Sequence, residues 1–164
     1  MVAVAEAFQS AGYLVLRWDL PFRQQRRSPT AKQQVVDRDG IRNAGRVVVE
    51  LAEGPLVLAG HSYGGRQSTM AAAEDPSCAS ALLLLSYPLH PPMQPDKART
   101  QHFASLRTPS LFVHGTRDPF GTIDEMKAAL LLIPGTTKLI PVEGAKHGVP
   151  LSTTALLPGW LDEL

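Results

Sequence analysis

Pro55-Leu56-Val57-Leu58-Ala59-Gly60-His61-Ser62-Tyr63-Gly64-Gly65-Arg66 is the stretch on which the fold turns. The uncharged run Pro55 to Ala59 reads as a buried strand, and the small residues from Gly65 to Ala73 read as a helix. Between them stands Gly60-His61-Ser62-Tyr63-Gly64, a Gly-x-Ser-x-Gly pentapeptide. A strand feeding a helix through that pattern turns so sharply that the serine takes a strained backbone and its hydroxyl projects outward. Gly60 and Gly64 are expected because a Cβ at either position would strike the adjacent strand or helix. Ser62 is thus a candidate nucleophile. Tyr63, the next residue, is the candidate donor of a backbone N–H to an oxyanion.

A serine hydroxyl is a poor nucleophile at neutral pH and needs a base to take its proton. Two further apolar runs lead to the partners. Ser110-Leu-Phe-Val-His114 is followed by Gly115-Thr-Arg-Asp118, and Lys138-Leu-Ile-Pro-Val142 by Glu143-Gly-Ala-Lys-His147. Each candidate therefore follows a predicted strand, in the chain order serine, acid, histidine. In a parallel sheet such loops all emerge at the carboxyl edge, where ligands bind. His147 would be the base, and Asp118 would fix its tautomer and stabilise the imidazolium.

Rival readings exist for each neighbour. Asp118 stands before Pro119 and also suits a plain turn, His61 reads as packed within the elbow, and His114 as directed into the core. His90 and His102 follow the run Ala81 to Ser86 and read first as solvated loop residues near the same edge. Phe22, Arg23 and His90 are the candidate substrate contacts. No metal site is expected, because the histidines lack close pairing with acidic residues or cysteine.

At 164 residues, with 44% apolar and 19% charged content, the chain suits a single domain spanning 1–164. A formal net charge of +1 gives no global pull toward nucleic acid or membrane. Basic residues do cluster locally, as Arg17, Arg23, Arg26, Arg27, Lys32, Arg38, Arg42 and Arg46. They read first as a solvated helix and loop. The second reading makes Arg23, Arg26 and Arg27 a positive rim favouring anionic substrates. Cys78 is the only cysteine, which rules out an internal disulfide and is read as packing. With no long apolar stretch or leader-like N-terminus, the expectation is a cytoplasmic protein acting on a small molecule. It needs no cofactor and has no nucleic-acid or membrane partner.

Along the chain, Val2 to Ala11 reads as a helix stopped by Gly12, and Tyr13 to Trp18 as a strand. A helix is expected from about Thr30 to Glu53 with Ile41, Ala44, Val48 and Leu51 on one face, although Gly40 and Gly45 weaken it. Ala81 to Ser86 is a buried strand, and Thr122-Ile-Asp-Glu125 a capping box opening another helix. A final helix near Ser152 to Leu164 is interrupted at Pro158. Alternating strands and helices indicate an α/β fold with a largely parallel sheet, covered on both faces.

Trp18-Asp-Leu-Pro-Phe-Arg23, Gly60-His-Ser-Tyr-Gly-Gly-Arg66, Tyr87-Pro-Leu-His-Pro-Pro92 and Leu111-Phe-Val-His-Gly-Thr-Arg-Asp-Pro-Phe-Gly121 resemble one family. It is the α/β-hydrolase-like domain related to dienelactone hydrolases, shared by a testis-expressed protein, a subunit of the NSL chromatin acetyltransferase complex and many bacterial proteins. The resemblance implies a three-layer α/β-hydrolase-like sandwich, with Ser62, Asp118 and His147 at triad positions. It also implies a serine hydrolase acting on a small ester or related acyl substrate. Eukaryotic relatives with non-enzymatic roles supply the alternative, a non-catalytic scaffold or protein-interaction domain.

Such domains usually begin with a further strand and a His-Gly-type loop before the helix that here starts at Val2. That loop normally donates a second oxyanion N–H, and that strand lies between the strands expected at 13–18 and 55–59. An N-terminally truncated fragment is therefore expected. Strands 13–18 and 55–59 should then either pair directly or stand apart across an open gap, with the Tyr63 N–H the only backbone oxyanion donor.

Overall fold

Four apolar runs lie side by side in the computed structural model, which describes residues 1–26 and 29–164. They are β1 (Val57–His61), β2 (Ala81–Leu85), β3 (Ser110–Gly115) and β4 (Thr137–Val142), in spatial order β1-β2-β3-β4, and every pairing is parallel. Successive side chains of a strand face opposite ways. An unbroken run such as Ala81-Leu-Leu-Leu-Leu therefore needs cover on both sides.

That cover comes from seven α-helices among the described residues: α1 (Val2–Ser10), α2 (Pro21–Gln24), α3 (Ala31–Leu51), α4 (Tyr63–Glu74), α5 (Ile123–Leu130), α6 (Leu151–Thr154) and α7 (Leu157–Asp162). Leu82, Leu84 and Phe112 pack with Ala72 of α4 and with Met126, Ala129 and Leu130 of α5. On the opposite face, Leu83, Leu85, Leu111 and Val113 meet Val4 and Phe8 of α1 and Leu157 and Leu161 of α7. The architecture is the expected three-layer α/β sandwich.

Several local expectations are met closely. Thr122 and Glu125 form a full capping box at α5, each side chain bonded to the other's backbone N–H. Gly40 and Gly45 do not interrupt α3. They are the places where Pro21 and Leu56 lie so close that a Cβ would approach them to 2.8 and 2.9 Å. The C-terminal helix does break in two, but at Ala155-Leu156; Pro158 sits in the first turn of α7, where its missing N–H is no loss.

One expected strand is absent. Residues 13–18 run between α1 and α2 without joining the sheet, and β1 forms its edge among the described residues. A strand exists only through a ladder partner, and this segment has none. Leu14, Leu16 and Trp18 consequently remain about half exposed, at 54%, 46% and 48%. Of the two expected outcomes the gap is the one found. A groove of about 780 Å³ separates the 13–18 segment from β1, walled also by Val4 and Phe8 of α1 and by Ile41, Ala44 and Val48 of α3. Leu51, expected on that helical face, is instead 72% exposed.

Candidate active site

The parallel register delivers three loops to one edge. Ser62 N–H donates to Leu85 O, Ser86 N–H to Val113 O and Thr116 N–H to Val142 O, so the four strands all end at the same edge. Ser62 follows β1 directly and caps α4 with φ 52° and ψ −118°, the strained conformation expected of it.

The crowding that demands glycine differs from expectation at one position. A Cβ on Gly60 would be driven into the backbone of Gly64 and Gly65, and one on Gly65 would come within 2.8 Å of Gly60 O. A Cβ on Gly64 would meet nothing within 4 Å. Gly60 and Gly65 are therefore the interlocked pair, because Gly64 sits on the outward side of the first helical turn.

Asp118 is brought to His147 by a tight meeting of two loops. Gly115 lies against the carbonyls of Ala145 and Lys146, Arg117 N–H donates to Ala145 O at 2.9 Å, and Gly144 N–H to Thr116 Oγ1 at 2.9 Å. His147 Nδ1 then stands 2.8 and 3.0 Å from the two oxygens of Asp118, and His147 Nε2 stands 2.7 Å from Ser62 Oγ. The imidazole is held between rings, with the Phe120 centroid at 4.3 Å and that of His61 at 5.2 Å. Burial alone would raise the Asp118 carboxyl, but the His147 bond and the Phe120 N–H outweigh it and hold the group below the usual carboxylate range. Burial and the neighbouring His147 push His61 down, so it stays neutral beside the base.

The remaining histidines are structural. His90 is only 6% exposed; its Nδ1 lies 2.8 Å from Pro91 O and its Nε2 3.4 Å from Glu125 Oε2, so its ring atoms are engaged within the fold rather than offered to a substrate. His114 is buried in the core, as expected, with Nε2 on Gly121 O. His102 is not a solvated loop residue: its Nε2 is 2.8 Å from Thr69 Oγ1, and burial beside Arg66 pushes it down to about 4. Phe22 and Arg23 line the groove that runs to Ser62 and Tyr63, with the Phe22 ring edge-on to Tyr63 at 5.1 Å. Arg26 is exposed, and Arg27 lies outside the described residues. Arg38 and Arg42 are not free rim charges; both pair with Glu74, and Arg42 also with Asp39. Cys78 is free and packs against the core.

Asp37 is the residue the sequence reading missed. It is fully buried on α3 and accepts from the Tyr63 hydroxyl at 2.7 Å, from Phe22 N–H at 2.9 Å and from Gln33 Nε2 at 3.3 Å. One carboxylate therefore ties the elbow residue and the Phe22 turn to the same helix. Burial and the Asp37 carboxylate push the Tyr63 hydroxyl well up, so it remains a donor. Asp37→Ala leaves three donors without their partner. It is expected to cost about 2–5 kcal/mol in urea unfolding.

Among the described residues no group of three or more His, Cys, Asp or Glu is placed to hold a metal ion, and no helix is long and apolar enough to cross a membrane. A strained serine elbow at the carboxyl edge of a parallel sheet, with a histidine and a carboxylate in line behind it, defines the α/β-hydrolase class. The chain belongs to the alpha/beta hydrolase domain family, whose model matches residues 1–154.

Solved structures of the same fold agree. An alpha-beta serine hydrolase homologue from Coxiella burnetii is 19% identical, with a TM-score of 0.74 over 99% of this chain and 74% of that one. A dienelactone hydrolase from Anabaena variabilis is 22% identical, with a TM-score of 0.74 over 98% and 76%. A putative hydrolase of the alpha/beta superfamily from Xanthomonas campestris is 21% identical, with a TM-score of 0.68 over 99% and 89%.

Proposed function

We propose that the chain is a serine hydrolase cleaving a small ester or related acyl bond through Ser62, His147 and Asp118. The observation that carries this reading is the unbroken hydrogen-bonded line from Ser62 Oγ through His147 to Asp118, starting from a serine in a strained elbow. Ser62 Oγ attacks the carbonyl carbon while His147 Nε2 takes its proton. The displaced electron pair becomes an oxyanion facing the Tyr63 N–H at the start of α4. Collapse expels the alcohol, which receives the proton from His147. Water then attacks the acyl-enzyme with His147 again as base, releasing the acid and restoring Ser62. Asp118 keeps the Nδ1 proton in place and stabilises each transient imidazolium.

A small substrate is favoured because residues 86–109 carry only two short 3₁₀ turns, Pro95–Lys97 and Phe103–Ser105, and build no separate lid. Hydrolysis of short p-nitrophenyl esters tests the reading. Ser62→Ala is expected to lower kcat by roughly 10⁴–10⁶ with the fold unchanged. Wild-type protein that turns over no such ester would favour the scaffold alternative.

A further inference from the structure

His114 is the last residue but one of β3, and the loop that leaves this strand carries Asp118. Its side chain is fully buried after the apolar run Leu111-Phe112-Val113. Nε2 stands 2.8 Å from Gly121 O. A carbonyl oxygen only accepts, so Nε2 carries a proton and donates it there. The same Nε2 lies 3.8 Å from Asp118 Oδ2, the oxygen that meets His147 Nδ1 at 2.8 Å. That separation is too long for a second hydrogen bond, but it sets the imidazole directly beside the acid.

The bond from His114 to Gly121 spans seven residues and closes the loop with Asp118 inside it. Within the loop, Asp118 N–H reaches Gly115 O, Gly121 N–H reaches Asp118 O, and Phe120 N–H donates to Asp118 Oδ1 at 2.9 Å. The entry of the loop is held from outside by Arg117 N–H on Ala145 O. Its exit is held by His90 N–H on Phe120 O and by the His114 ring on Gly121 O. Counted as hydrogen bonds, histidine and leucine come out even at position 114. Histidine satisfies Gly121 O but leaves its own Nδ1 buried without a partner, whereas leucine would leave only the Gly121 carbonyl unpaired. What the imidazole adds is a fixed link from β3 to the exit of the acid's loop.

Resting on the serine hydrolase reading, we propose that His114 is a positioning residue for Asp118, closing the acid's loop through Gly121 O and so fixing the line along which Asp118 meets His147. It touches no reacting atom and acts through the carboxylate alone. Without it the loop keeps its internal turn but loses its tie to the strand. The acid then drifts, and His147 turns away from Ser62. Misplacement of a catalytic group by about 1 Å costs on the order of 10²-fold in rate.

The test is a double-mutant cycle on the hydrolysis of 4-nitrophenyl acetate. His114→Leu should lower kcat roughly ten- to hundredfold and move KM by no more than about twofold, with a urea midpoint close to that of wild type. His114→Gln, which carries an N–H to the neighbourhood of Nε2, should recover most of the loss. In the Asp118→Asn background His114→Leu should cost no more than about twofold further, because a residue acting through the acid has nothing left to aim. The same loss in both backgrounds, or a wild-type kcat in His114→Leu, would overturn the proposal and leave the hydrolase reading intact. Where the leucine chain does not fold, His114→Asn, too short to reach Gly121 O, takes its place in the cycle. If wild type turns over no ester and takes no fluorophosphonate, the hydrolase reading fails, and the positioning role is read by proton NMR. The low-field resonance of His147 Nδ1–H, identified by its absence from His147→Gln, should be displaced in His114→Leu and restored in His114→Gln. An unchanged resonance in His114→Leu, or none in wild type, refutes the role.

Discussion

Asp118→Asn is expected to leave the fold in place and lower kcat by about 10⁴. His147 Nδ1 lies 2.8 Å from Asp118 Oδ2, so the carboxylate accepts the Nδ1 proton and leaves Nε2 free to accept from Ser62. An asparagine offers an N–H at that position. Imidazole then accepts on Nδ1 and carries its proton on Nε2, where it can no longer deprotonate the serine. The replacement also removes the negative charge that stabilises imidazolium. Steady-state ester hydrolysis measures the first effect, and circular dichroism confirms that loss of rate is not loss of structure. The carboxyl is held below its ordinary value, so its contribution to stability is present above the usual carboxylate range and fades as pH falls through the depressed value. That part of the acid sensitivity should be missing from the variant.

Gly60→Ala is expected to be among the most damaging single methyl additions in the molecule. The added carbon would sit 2.5 Å from the Gly64 carbonyl carbon and 2.7 Å from Gly65 Cα, all of it backbone that can yield only by separating β1 from α4. Overpacking of this kind costs about 1–3 kcal/mol, and more where only backbone can yield, and it moves Ser62 away from His147 as well. Gly64→Ala provides the contrast. Open space surrounds that position, and alanine favours helix over glycine by about 1 kcal/mol, so urea unfolding should show no loss of stability. Equal destabilisation by both substitutions would refute the interlock of Gly60 with Gly65.

That contrast shows where sequence reading stops. Gly-x-Ser-x-Gly foretold the strained serine, but the glycine that packs against Gly60 is Gly65, one residue outside the motif. Which side of a helix meets a strand is settled by packing, not by spacing. The convergence of Ser62, Asp118 and His147 was legible because parallel topology sends every post-strand loop to one edge, whatever the sequence separation. The 13–18 segment was misread for the converse reason. Its apolar residues carry local β-propensity, yet a strand also needs a neighbour at hydrogen-bonding distance, and across the groove none is present. Asp37 stands in a helix that composition painted as solvated, and only the docking of α3 on α4 makes it the partner of Tyr63. His90 and His102 sit in loops that looked open, but the segment from Tyr87 to Arg99 folds back on itself with His90 inside it, and His102 packs against Thr69 of α4.

The central claim is that Ser62 is the nucleophile activated by His147. Its most direct test is covalent: the protein is incubated with a fluorophosphonate, and the adduct is located by peptide mass spectrometry. The account predicts a single adduct on the peptide bearing Ser62, absent from Ser62→Ala and formed at least about 10³-fold more slowly in His147→Gln. An adduct on another residue, no adduct at all, or equal labelling of wild type and Ser62→Ala would contradict it.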